Sequence, residues 1–139
     1  MFENCVEIKS RRKIFTAKEE GKAYTLINNA NFDITKIRVD GCVFKDKIKK
    51  CDWLFIVEVH KAIFVELKGR DIKGGLKQLA ITYENLKNAI GNKQIWFRLC
   101  VGEKNSVPKS VRSDRYYKFL FALSADNLKI GKKLTDTLS

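Results

Sequence analysis

Two short apolar runs carry charges at their ends. The first is Cys51-Asp52-Trp53-Leu54-Phe55-Ile56-Val57, and the second is Phe64-Val65-Glu66-Leu67-Lys68-Gly69. Runs this apolar on successive residues predict strands covered on both faces of a sheet. A charge in such a setting is costly unless it is paired or binds a metal. Asp52, Glu66 and Lys68 therefore read as placed residues. Two carboxylates suit a hard cation, and the lysine beside them suits proton transfer or charge stabilisation.

The flanking pattern gives an α/β order. Residues 16–29 predict a first helix, with Thr16 as its N-cap, Glu19 as capping-box partner and Ala23, Leu26, Ile27 and Ala30 as its apolar stripe. Residues 34–44, 51–59 and 62–68 predict three strands, with a basic turn at 45–50. Residues 71–90 predict a long amphipathic helix stopped at Gly91, and 93–101 a fourth strand. The polar stretch 102–110, with the only proline, reads as a loop. A helix over 110–123 and an edge strand over 127–134 complete the chain. A meander, a crossover helix and another strand make a mixed sheet with helices on both faces. At 139 residues, 1–139 reads as a single domain.

Register sets a condition on the charged triad. A two-residue loop at His60-Lys61 would put Asp52 on the face opposite Glu66 and Lys68. An odd-length loop or one bulge would bring all three together. Glu20 heads an apolar stripe on the expected first helix and is the candidate for a further acid, with Glu19 as the alternative.

The net charge of +12 favours a polyanionic partner. Arg11 and Arg12 read as a basic arm. Arg70, Lys73 and Lys77, around Gly74-Gly75 at a helix start, suit phosphates. No run of about 18 apolar residues and no signal-peptide pattern occur, so the expectation is a cytoplasmic protein without membrane contact. The four cysteines form no C-x-x-C pair, which argues against structural zinc. If 34–44 and 51–59 form a hairpin turning at Asp46-Lys47, Cys42 faces Cys51, and both read as buried apolar side chains in a reducing compartment. Trp53 and Trp96 read as core.

Asp52, a gap of thirteen residues, then Glu66-Leu67-Lys68 resembles the signature of the PD-(D/E)xK nuclease superfamily, and the αβββαβ order is similar to its restriction-endonuclease-like core. Cys51 stands where the family has proline. Small size and basic charge resemble the archaeal Holliday-junction resolvases. The resemblance implies that Asp52, Glu66 and the Leu67 carbonyl, with Glu20, ligate Mg²⁺ or Mn²⁺. It implies that Lys68 orients or deprotonates the attacking water, that Gln78 lies at the substrate, and that the chain is a DNA endonuclease, a homodimer in the resolvase-like branch. The competing expectation is a non-catalytic nucleic-acid-binding module on the same fold.

Overall fold

The computed structural model describes residues 2–47, 50–68, 71–102, 108–123 and 127–139. Within them nine strands form two sheets, and three α-helices cover one side. The strands are β1 (Val6–Ser10), β2 (Ile14–Glu19), β3 (Lys22–Asn28), β4 (Ile34–Arg38), β5 (Trp53–Val57), β6 (Lys61–Lys68), β7 (Gln94–Val101), β8 (Leu128–Gly131) and β9 (Lys133–Leu138). The helices are α1 (Ile72–Ile90), α2 (Lys109–Arg112) and α3 (Arg115–Leu123). The large sheet runs β1-β4-β5-β6-β7-β8 and is mixed: β4, β5 and β6 pair antiparallel, while β6, β7 and β8 pair parallel.

β6 is buried at every position from Ala62 to Leu67 because both faces of the sheet are covered. On one face Leu54, Ala62, Phe64 and Leu99 pack against Leu76, Leu79 and Leu86 of α1. Gly75 permits this approach, since a Cβ there would lie 2.5 Å from Leu99 Cδ1. On the other face Phe55, Ile63, Val65 and Leu67 pack against Phe15, Ala17, Tyr24 and Leu26. These four belong to the small sheet, ordered β2-β3-β9. The expectation of helices on both faces is thus corrected: a three-stranded sheet takes the second face.

The expected helix over 16–29 is a β-hairpin. Burial alternates strictly along β3, with Lys22, Tyr24, Leu26 and Asn28 inward, which is a period of two. Glu20 and Gly21 form its tight turn, both at positive φ (45° and 81°), between the pair Glu19 and Lys22. Other boundaries also shift. The strand expected to reach residue 44 ends at Arg38, where the chain curls through Gly41 (φ 81°) and Phe44 N–H donates to the Val39 carbonyl. Cys42 does not face Cys51: it is disulfide-bonded to Cys5, while Cys51 is a buried free thiol. The expected 127–134 strand divides between β8 and β9, which enter different sheets. The 110–123 helix breaks where the Asp114 carboxylate accepts from the Tyr116 and Tyr117 amides.

A buried ion pair joins the sheets. Arg98 of β7 donates to both Asp136 carboxylate oxygens of β9 (2.7 and 3.1 Å), and the Tyr24 hydroxyl donates to one of them (2.7 Å). Burial would raise the Asp136 pKa, but the hydrogen bonds and charge of Arg98 hold it below the ordinary carboxylate range. Asp136→Ala strands the Arg98 guanidinium, which is 1 % exposed, and should cost about 3 kcal/mol in chemical denaturation. An unchanged denaturation midpoint would refute this role.

Candidate metal and nuclease centre

The turn between β5 and β6 decides the site. Val57 pairs with Lys61, so the loop holds residues 58–60 and its length is odd. Glu58 takes positive φ (49°) to close it. The ladder then runs to Trp53 opposite Val65. One residue beyond that ladder, Asp52 reaches the Glu66–Leu67 segment of β6, on which Glu66 shares parity with Lys68. The register condition set by the sequence is met.

Asp52 and Glu66 lock each other. The Asp52 amide donates to Glu66 Oε1 (3.1 Å), and the Leu67 amide donates to Asp52 Oδ2 (2.9 Å). Glu66 is 2 % exposed. Burial pushes its pKa up, and the Asp52 charge and hydrogen bond push it further, to about 9, against the opposing charge of Lys68. Asp52 is also raised, by burial first, although the Leu67 amide favours its charged form; the charges of Glu19 and Asp40 add to the rise. Two adjacent carboxyls that resist joint ionisation form a donor set suited to a divalent cation, which relieves exactly that repulsion. Among the described residues no group of three acidic, histidine or cysteine side chains is close enough to hold a metal. The chain's own contribution would be Asp52, Glu66 and backbone oxygen such as that of Leu67.

α1 fixes the segment that leads into Asp52. Gln78, 8 % exposed, donates through Nε2 to the Lys50 carbonyl (3.1 Å). The Thr82 hydroxyl accepts from the Cys51 amide (2.8 Å) and donates to the Gln78 carbonyl (2.7 Å). Thr82 was not singled out in the sequence, where it looks like one more residue on an amphipathic helix. Its signal was a hydroxyl at i+4 from Gln78 on an otherwise apolar face. Thr82→Val keeps the shape but leaves the Cys51 amide without its acceptor. It should cost about 1–2 kcal/mol in urea unfolding and weaken Mn²⁺ binding at Asp52, with Thr82→Ser restoring both. Equal Mn²⁺ affinity in Thr82→Val and wild type would show that this contact does not position Asp52.

The other sequence candidates divide. Lys68 ends β6 with Glu66 two residues before it. Lys73 and Lys77 are exposed on the first turns of α1. Asp71 caps that helix by accepting from the Gly74 amide (2.9 Å), so this amide is already used. Glu20 is not a helix residue: it sits exposed on the β2–β3 turn, 4.0 Å from Lys22 Nζ. Glu19, at the end of β2, is the hairpin acid whose charge is felt at Asp52. Arg11 bonds the Asn31 carbonyl and lies 3.8 Å from Glu58. That is the opposite end of β5, about 20 Å from Asp52 by strand rise. Arg12 lies over the Phe15 ring, away from the pair. Arg70 lies outside the described residues. No helix among the described residues is long and apolar enough to cross a membrane. Compared with known proteins, the chain matches no family model, no curated protein and no solved structure.

Proposed function

We propose that this chain is a metal-dependent nuclease of the PD-(D/E)xK type that hydrolyses phosphodiester bonds, with DNA as its substrate. The observation that carries the reading is the Asp52–Glu66 pair, side by side with Glu66 held near a pKa of 9, and Lys68 on the same face. A fold has little reason to bury two adjacent carboxyls at a strand end unless a cation joins them. The run β4-β5-β6-α1-β7 supplies a βββαβ order similar to the family core, and the β2–β3 hairpin stands where that core has its first helix. The same reading allows a homodimer.

Mg²⁺ or Mn²⁺ bound at the pair would polarise the scissile phosphate and lower the pKa of a coordinated water. Asp52 and Glu66 would bind it through oxygen, and the amides of Asp52 and Leu67, donating to Glu66 Oε1 and Asp52 Oδ2, fix their spacing. Lys68 places a cation beside the pair, where it would orient the attacking water and offset charge on the phosphate. Thr82 and Gln78 act at one remove, by holding the Lys50–Cys51 backbone.

The test is cleavage of labelled linear, branched and single-stranded DNA, and of RNA, with Mg²⁺, with Mn²⁺ and with chelator. Metal-dependent cleavage lost in Asp52→Asn supports the reading. Binding without cleavage in every metal would replace it with the binding-module alternative.

A further inference from the structure

We propose that α2, α3 and the outer stripe of α1 form a binding surface for an unpaired nucleic-acid strand, with one base seated in the groove between α1 and α3. This rests on the nucleic-acid reading above and names the substrate form it takes.

The groove has a volume of about 420 Å³ and is lined by Ala80, Ile81, Arg115, Tyr116 and Phe119. It has an apolar floor, aromatic walls and a cation at its rim. The Arg115 guanidinium lies 4.7 Å from the Tyr116 ring centroid and bonds its hydroxyl (2.7 Å), presenting a flat cationic plate. Next along α3, Tyr117 and Phe121 stack at 5.8 Å, and Phe121 is 46 % exposed. Flat rings and a guanidinium plane are what an unstacked base recognises.

Charge selects the partner. From α2 through α3, exposed Lys109, Arg112, Arg115 and Lys118 face a single acid, Asp114, whose carboxylate is committed to two backbone amides. On α1, Lys73, Lys77 and Ile81 lie on one stripe, spaced four residues and so about 6 Å apart along the axis. The stripe leads from the helix start, close behind Lys68, to the groove. Phosphates following these lysines from the carboxylate pair would deliver a base to Tyr116. In a duplex that base is paired and stacked, so the groove favours a single strand or an unpaired end.

The test is fluorescence anisotropy of the full chain, carried in Asp52→Asn with chelator so that no cleavage intervenes. The probes are a labelled short oligothymidylate and a blunt duplex of equal length. Tyr116→Leu keeps apolar bulk but removes the ring, and Arg115→Gln changes an exposed side chain. Each is expected to weaken oligothymidylate binding roughly tenfold while duplex binding changes less than twofold, with Tyr116→Phe near wild type. The expected binding, together with no cleavage by the wild-type chain in Mg²⁺ or Mn²⁺, would leave this surface standing and remove the nuclease reading. Cleavage by the wild-type chain in Mg²⁺ or Mn²⁺, with oligothymidylate affinity unchanged in both variants, would remove the surface alone. It is equally overturned if the wild-type chain does not bind oligothymidylate at low salt. Binding of phosphatidylserine vesicles in preference to the oligonucleotide, or self-association lost in Tyr116→Leu, would assign the face to another partner.

Discussion

Asp52→Asn and Lys68→Met will each lower metal-dependent phosphodiester cleavage on the order of 10³-fold, with nucleic-acid binding in chelator nearly unchanged. The magnitude follows from what each group supplies. A cation at the transferring phosphate is worth several kcal/mol, and each 1.36 kcal/mol is tenfold in rate. Asp52→Asn retains an oxygen that can accept from the Leu67 amide, as Asp52 Oδ2 does at 2.9 Å, so the strand end should keep its shape. What it removes is the negative charge facing the cation. Lys68→Met keeps much of the stem at the end of β6 and removes the ammonium. The two losses should differ in kind. Asp52→Asn should be partly rescued by high Mn²⁺, because the defect is in cation affinity. Lys68→Met should not, because its defect lies in the bound complex. Cleavage persisting in both variants at wild-type rates would mean that the activity resides elsewhere.

The alignment of the charged residues was legible because it depends on local pattern, whereas the covering layer was not because it depends on a choice between two periods. Asp52, Glu66 and Lys68 share parity in sequence, and one odd turn was enough to align them. The three residues 58–60 supplied it. The long helix was equally plain: Asp71 caps it, Gly91 ends it, and its apolar residues keep a period near 3.6. Residues 16–29 fit both templates. Ala23, Leu26, Ile27 and Ala30 make a helical stripe, but Phe15, Ala17, Tyr24 and Leu26 make the alternation that the fold buries. Gly21, inside the supposed helix, marked the turn. Taking that stretch as a helix carried Glu20 with it into the site, whereas the hairpin leaves Glu20 exposed. The Cys5–Cys42 bond was missed for a different reason. Its partners lie 37 residues apart, and the Val39–Phe44 curl that presents Cys42 cannot be read from a strand-like sequence.

Glu66→Gln should make the metal-free protein more stable at neutral pH while destroying its function. Glu66 has a reference pKa of 4.5 and a native value of about 9. Between those limits the folded protein keeps a proton that the unfolded chain has released, so stability falls as pH rises through the window. The stabilisation is whole below about pH 4.5 and gone above about pH 9. Glutamine imitates the protonated acid: its oxygen can accept from the Asp52 amide and its amino group can donate to the Asp52 carboxylate. The variant therefore avoids the cost of keeping a proton on Glu66, which at pH 7 amounts to roughly 3 kcal/mol at most. In chelator, Tm should rise by several degrees at pH 7, and the fall in stability between pH 5 and pH 9 should flatten. Function moves the other way. Metal binding must expel the Glu66 proton, so wild-type Mn²⁺ affinity should climb about tenfold per pH unit until Glu66 ionises. Glu66→Gln has no proton to expel and no charge to offer. Its Mn²⁺ affinity should be roughly a hundredfold weaker at pH 8 and nearly flat with pH. Thermal denaturation and Mn²⁺ titration across pH 5 to 9 read both effects on the same samples. A variant less stable than wild type in chelator at pH 8, with an undiminished pH slope, would show that Glu66 is ionised in the folded protein and that burial does not hold its proton.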